Sequence, residues 1–308
     1  MKAVWTEEYC GPEGMKYGDF PEPVIGPTDV LVKVGAASVN PIDWKLREGV
    51  LQHIFKLTFP RIGGRDFSGT IVAIGPEVKG FKVGDEVWAL TDALRQGTHA
   101  ELHAVDQKMI GRKPRNLSHI ETASIGAAGV SALIGLFHTA GVATGDRVLI
   151  HAGAGGVGSL AIQMAKARGA WVAATCGTKN LDYVGGLGAD QVIDYSTEDF
   201  GALRGLDVVF DTMGGEVHRR SFATLKHAGT LAFLTAAPPV ADPARPDVQV
   251  KRANVQCTTL VADEITGFME SGQVKPQVTE VLPLAEARTG VEKVRAGHTR
   301  GKIVLQVE

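Results

Sequence analysis

Hydrophobic and polar positions divide the chain into two textures. Up to about residue 120 the apolar residues come in short runs rich in Val, Ile and Thr. Examples are the alternating segment 29–40 (DVLVKVGAASVN), 67–75 (FSGTIVAIG) and 83–91 (VGDEVWALT), each bounded by Gly, Pro or Asp. Such runs predict β-structure joined by turns. Beyond residue 120 strand-like and helix-like segments alternate. RVLIHA (147–152) leads through a cluster of glycines into a helical pattern, followed by AWVAAT (170–175), LDYVGGLGA (181–189) and QVIDY (191–195). LDVVFDT (206–212), a helix around VHRRSFATL (217–225) and GTLAFLT (229–235) continue the alternation. That spacing predicts a parallel, doubly wound sheet. A Pro-rich loop over 236–247, a helix over 262–272, a mixed segment over 277–294 and a closing strand from Gly301 complete the pattern. We therefore expect a β-rich domain over 1–121, completed by 265–308, and an α/β domain over 122–264.

Composition adds little to that division and excludes several functions. The 308 residues are 44% hydrophobic and 21% charged with a net charge of −2, which is ordinary for a globular protein. No basic stripe is offered to nucleic acid or to an anionic membrane. Cys10, Cys176 and Cys257 are widely spaced and odd in number, so free thiols in a reducing compartment are expected. The opening MKAVWTEEYC reads directly as a strand, and the expected location is the cytoplasm. Residues 122–145 carry no Asp, Glu, Lys or Arg, long enough to span a bilayer. Their glycines, hydroxyl residues and His138 dilute the hydrophobicity, so a buried helix is expected and membrane insertion is not.

Gly153, Gly155 and Gly158 fit the spacing G-x-G-x-x-G between an apolar strand and a helix that opens at about Val157. The first glycine permits the turn, the second lets backbone approach a pyrophosphate, and the third lets helix and strand pack closely. The helix N-terminus offers its unpaired N–H groups to the phosphates. Gly153 through Gly158, including Ala154, Gly156 and Val157, are the candidate cradle. A strained turn without a ligand is the plainer alternative. An NAD site would need Asp or Glu about 20 residues on, and no acid lies between Ala170 and Asn180. Thr175, Gly177, Thr178 and Lys179 instead offer hydroxyls and a cation suited to a 2′-phosphate. NADPH is the expected cofactor, although Lys179 also reads as a solvated lysine opening a helix.

The placement of this loop after residue 145, together with ASVNPIDWKLREG (37–49), GGRDFSGTIVAIG (63–75), FKVGDEVWAL (81–90), GVSALIGL (129–136), HAGAGGVG (151–158), LGADQVIDY (187–195), DVVFDTMGG (207–215) and GHTRGKIVL (297–305), resembles the medium-chain dehydrogenase/reductase superfamily. More narrowly, the chain resembles its zinc-independent NADPH:quinone oxidoreductase family over essentially its whole length, in the subgroup of quinone and enone oxidoreductases. The resemblance implies a GroES-like, partly open β-barrel catalytic domain and an inserted Rossmann domain. It also implies a homodimer. Zinc-dependent relatives place a Cys near Asn40 and a His-Glu pair where this chain has Arg65-Asp66. No imidazole stands there, and no cysteine lies between Cys10 and Cys176. His99 and His103 are four apart but lack partner ligands, and they read as a surface pair. No metal is therefore expected. Without one, hydride delivery to a quinone or to the β-carbon of an α,β-unsaturated carbonyl is easier than alcohol oxidation.

The resemblance also assigns residues. Asn40 matches an Asn beside the nicotinamide, whose amide donates to the acceptor oxygen; alternatively it is a turn residue before Pro41. Asp43 is catalytic or a helix cap. Lys45 contacts a phosphate, donates a proton, or is a solvated lysine. Ser131 matches a residue near the nicotinamide, or is a buried serine bonded back to its helix carbonyl; Tyr195 matches one that lies against the adenosine, or is a surface tyrosine closing its strand. Phe233, Leu234 and Thr235 fall where backbone meets the carboxamide. Arg300, Gly301 and Lys302 match a C-terminal pattern in which a basic side chain reaches the cofactor; Lys302 otherwise reads as an exposed edge charge. The region REGVLQHIF (47–55) lacks the proton-donating Tyr of enoyl-thioester reductases. A thioester reductase and a nucleotide-binding protein with little turnover remain the alternatives to a quinone or enone reductase.

Overall fold

A computed structural model describes residues 1–235 and 241–307. The chain forms two compact units, one of Met1–Ala127, Gln256–Glu270 and Pro276–Glu308, the other of Ala128–Val255 and Ser271–Lys275. The expected boundary at 264/265 falls inside the helix Thr259–Glu270, whose Val261, Ala262, Ile265 and Met269 are all buried. That helix lies with the first unit, apart from the sheet residues that precede it. The boundary therefore moves back to its loop, where the composition gives no signal.

In the first unit a seven-stranded, largely antiparallel sheet runs in the order Val278–Pro283, Lys302–Gln306, Asp29–Val39, Asp66–Ile74, Glu86–Leu90, Ile110–Arg112, with Leu102–Asp106 also paired to Asp29–Val39. A smaller sheet joins Lys16–Asp19, Lys2–Thr6 and Arg61–Ile62. Alternation in Asp29–Val39 sends Val30, Val32 and Val34 into a core with Phe67, Ile71, Val87, Ala89, Val105 and Ile110. Each fully buried Val or Ile there contributes about 1.5–3 kcal/mol. The register that places the site is Ile303 opposite Val39, antiparallel, which brings Lys302 across from Asn40. Gly301 makes this possible: its φ is 58° and a Cβ would lie 2.3 Å from the Gln277 carbonyl oxygen.

The second unit holds the expected parallel sheet, in the order Gln191–Asp194, Trp171–Cys176, Arg147–Ile150, Leu206–Asp211, Leu225–Phe233, Gln249–Arg252. Val148, Leu149, Ile150, Val172, Ala173, Ala174, Val209 and Phe210 are buried, as strands covered on both faces require. The chain leaves Arg147–Ile150 first toward Trp171–Cys176 and later returns on its other side as Leu206–Asp211. The strand order reverses there, which is where such sheets bind ligands. The uncharged stretch becomes the helix His119–Leu133, continued by Ile134–Ala140; it is long and apolar enough to cross a membrane, but 72% of its apolar window is buried. Gly135 has no room for a Cβ, which would lie 2.2 Å from the Phe210 ring. Of the Pro-rich 236–247 segment, residues 236–240 lie outside the described residues.

Candidate active site

The glycine loop leaves the strand Arg147–Ile150 and enters the helix Gly156–Ala167 with Gly155 as its N-cap. Its glycines do different work. A Cβ at Gly158 would sit 2.2 Å from the Ala152 carbonyl oxygen, so only glycine lets this helix approach the turn. A Cβ at Gly153 would press on Ala174 and Ile162 at 3.1 Å. At Gly155 the nearest atom would be 3.4 Å away, so the fold leaves room beside the helix N-terminus. Gly155, Gly156 and Val157 are partly exposed, whereas Gly153, Ala154 and Gly158 are buried. This arrangement fits a pyrophosphate resting on the opening turn.

At the end of Trp171–Cys176 the expected phosphate ligands separate. Thr175 is buried and its hydroxyl accepts from the Ala152 amide at 3.3 Å while lying 3.1 Å from His151 Nδ1. That bonding corrects its expected role, because Thr175 braces the glycine turn from behind. Thr178 donates to Asp194 Oδ2 at 2.6 Å and lies 3.1 Å from Ser196 Oγ. Lys179 is exposed and carries no ion pair among the described residues. Tyr195 is 53% exposed, and its hydroxyl would be 3.1 Å from a Cβ at Gly177, so ring and glycine share one edge. Hydrogen bonds from Ser196 and Thr178 hold the Asp194 carboxyl below the usual carboxylate range.

Asp211, at the end of its strand, accepts from Met213 and Gly214 amides at 2.8 and 2.9 Å and pairs with His218 Nδ1 at 2.8 Å. Phe233 is buried in the core, and the Leu234 amide donates to the Asp211 carbonyl at 3.2 Å. Thr235 lies beside Gly214, where a Cβ would meet it at 3.0 Å. Ser131 is half-buried in its helix.

In the first unit Asn40 ends the strand Asp29–Val39, with Pro41 opening the helix Pro41–Arg47. It is only 4% exposed and its amide is held at both ends. Lys302 Nζ donates to Asn40 Oδ1 at 2.6 Å and to the Val39 carbonyl at 2.8 Å. Asn40 Nδ2 donates to Asp66 Oδ2 at 3.1 Å, with longer contacts to Ser38 Oγ at 3.4 Å and the Ser38 carbonyl at 3.5 Å. Asp66, completely buried, also accepts from Ser38 Oγ at 2.8 Å and the Ala127 amide at 2.8 Å. The reading of Lys302 as an exposed edge charge is therefore overturned: the antiparallel register carries it inward. Burial lowers its pKa, against the opposing pull of Asp66 and Asp43. Arg300 is exposed, and its carbonyl accepts from Thr279 Oγ1 at 2.6 Å.

Asp43 Oδ2 accepts from the Asn40 main-chain N–H at 2.7 Å, the cap-type bond foreseen as an alternative, while Oδ1 has no partner. Burial pushes its pKa up to about 7, reinforced by Asp66 and opposed by the Asn40 N–H, Lys302 and Arg65. Lys45 is half-buried with Nζ 5.6 Å above the Trp44 ring. Asp43, Arg61, Arg65, His99, Leu57 and Phe59 help to line a cavity of about 40 Å³. His99 and His103 are not a surface pair. They are 1% and 2% exposed, His99 Nε2 lies 3.3 Å from the Ser38 carbonyl, and His103 Nδ1 lies 3.1 Å from the Gly97 carbonyl. Burial pushes both down to about 4. Arg65 donates through Nε and Nη2 to the Thr91 carbonyl at 3.1 and 2.6 Å. Among the described residues no three His, Cys, Asp or Glu side chains are grouped to hold a metal ion.

Sequence reasoning did not find Ser38 or the anchoring role of Asp66. The only available signals were the pairing of Asp66 with Arg65 and the alternation that turns Ser38 and Asn40 to one side of their strand.

Residues 26–128 match a family model described as an alcohol dehydrogenase GroES-like domain, and 187–305 match one described as a zinc-binding dehydrogenase. The chain is 31% identical to a chloroplast envelope quinone oxidoreductase homolog of Arabidopsis thaliana, over 99% of this chain and 98% of that one. It is 36% identical to a 2-methylene-furan-3-one reductase of Solanum lycopersicum, over 99% and 79%. Among solved structures, the quinone oxidoreductase of Coxiella burnetii superposes with a TM-score of 0.92 at 32% identity, covering 100% of this chain and 99% of that one.

Proposed function

We propose that this chain, which belongs to the quinone oxidoreductase-like family of the medium-chain dehydrogenase/reductase superfamily, is an NADPH-dependent reductase of quinones or α,β-unsaturated carbonyls. The observation that carries the cofactor reading is the opening left at Gly155, at the start of a 12-residue helix and beside the reversal of strand order. Gly155 to Gly158 hold the pyrophosphate through backbone N–H groups. Lys179 and the Thr178 main chain meet the 2′-phosphate, and Tyr195 lies along the adenosine. The bound dinucleotide supplies the hydride. Asn40, fixed between Lys302 and Asp66, directs the remaining Nδ2 hydrogen at the acceptor oxygen, where negative charge develops.

The names of two relatives, a quinone oxidoreductase homolog and a furanone reductase, support both acceptor classes. Zinc-independence rests on Arg65, a guanidinium engaged with the Thr91 carbonyl at the place where a metal ligand would be needed. Cytoplasmic residence and a homodimer are further parts of the reading; the free Cys10, Cys176 and Cys257 fit a reducing compartment. Loss of NADPH absorbance with quinones and alkyl enones tests the activity. Turnover of neither class sinks it.

A further inference from the structure

We propose that Lys302 is a positioning residue for the reduction: by holding Asn40 Oδ1 it fixes which end of the Asn40 amide faces the acceptor and polarises that amide as a donor. The inference rests on the reductase reading and adds a residue and a device to it.

The placement is built into the fold. Gly301, with φ of 58° and no room for a Cβ beside the Gln277 carbonyl oxygen, turns the chain into its last strand. The Lys302 amide donates to the Gln277 carbonyl at 2.8 Å. Pairing of Ile303 with Val39 then sets Lys302 across from Asn40, and its stem is buried with the rest of the side chain.

A buried ammonium is costly unless it is paired. Lys302 makes no direct ion pair among the described residues; its acceptors are an uncharged carbonyl and the Asn40 side-chain amide oxygen. The nearest compensation lies beyond the amide, where Nδ2 donates to Asp66. Cation, amide and carboxyl therefore form a line, with the amide dipole aligned between them. An Asn side-chain amide held at neither end can take either of two orientations. With Lys302 on Oδ1, a flip would set NH₂ against an ammonium and oxygen against a carboxyl. Only one orientation survives. Nδ2 spends one hydrogen on Asp66, while its contacts to Ser38 at 3.4 and 3.5 Å are at the margin of hydrogen bonding. The second hydrogen has only these long Ser38 contacts to give up for a better acceptor, and the cation on the oxygen makes it a stronger donor.

The test combines Lys302→Met and Lys302→Gln with Asn40→Ala. In an active wild type, Lys302→Met should lower kcat about 10- to 100-fold while the dissociation constant for NADPH changes less than about threefold, since one oriented donor is worth about 10²-fold. Lys302→Gln, which keeps a neutral donor, should recover part of the loss. The double variant Asn40→Ala/Lys302→Met should be no slower than Asn40→Ala alone. Additive losses, a kcat within twofold of wild type, or a loss that follows NADPH affinity would overturn the proposal. The Asn40 side-chain ¹⁵N–¹H resonances, assigned through Asn40→Ala, give a readout independent of turnover. They should shift in Lys302→Met and in Lys302→Gln; unchanged resonances overturn the proposal even if the wild type reduces neither acceptor class. An inactive wild type whose resonances do shift would instead count against the reductase reading alone.

Discussion

Thr178 gives its hydroxyl hydrogen to Asp194 Oδ2 at 2.6 Å, so this side chain is already spent on a carboxylate. Lys179 is left as the cation of that turn, exposed and without an ion pair among the described residues. A 2′-phosphate beside it gains a charge-assisted hydrogen bond, worth about 1.5–3 kcal/mol. Lys179→Ala should therefore cut the preference for NADPH over NADH by about 10-fold or more in fluorescence titrations. An unchanged ratio would remove Lys179 from the site.

Two glycines five and eight residues past Ile150 should separate fold from binding. Gly158→Ala forces a methyl to 2.2 Å from the Ala152 carbonyl oxygen, which a close-packed turn cannot absorb. It should cost about 1–3 kcal/mol in urea denaturation, the usual range for overpacking. Gly155→Ala meets its nearest atom at 3.4 Å and should fold normally. Its methyl instead occupies the space for the pyrophosphate, so dinucleotide affinity should fall at least about 10-fold. A stable Gly158→Ala, or tight NADPH binding by Gly155→Ala, would contradict this division.

Buried titrating groups set an opposed pH dependence of stability. Burial pushes His99, His103 and His151 down to about 4 from an ordinary 6.5. The unfolded chain therefore binds three more protons between those values, and stability falls as pH drops from 6.5 to 4. Asp43 works the other way. Its carboxyl holds a proton to about 7 when folded but only to 3.8 when unfolded, so its contribution is lost as pH rises through that range. Over the full range that contribution is about 4 kcal/mol. Asp43→Asn removes the opposing term, and its stability should depend more steeply on pH between 4 and 6.5 than that of the wild type. Parallel profiles from urea denaturation would show that Asp43 does not hold its proton.

Much of this was legible in the sequence because it depends on local pattern. The alternation in 29–40, the apolar runs of the parallel strands and the glycine spacing each encode an element directly. The dinucleotide cradle follows from one contiguous segment. The cluster around Asn40 does not, because it is assembled by register. Lys302 reaches Asn40 across 262 residues of chain only through antiparallel pairing of Ile303 with Val39. Thr175 points the same way: its type suited a phosphate, but strand alternation turned it toward His151. His99 and His103 looked like surface residues because imidazole is polar, yet His103 is buried in the strand Leu102–Asp106 and His99 in the bend before it, each with a carbonyl to receive one ring N–H.

Hydride transfer to a quinone or an activated enone is open to one direct measurement. The direct measurement is stopped-flow loss of NADPH absorbance with a panel of quinones and alkyl enones, run with and without a metal chelator. Saturable turnover of at least one class, unaffected by the chelator, is the expected result. Tight NADPH binding with no absorbance loss on either class, or activity abolished by the chelator, would contradict it.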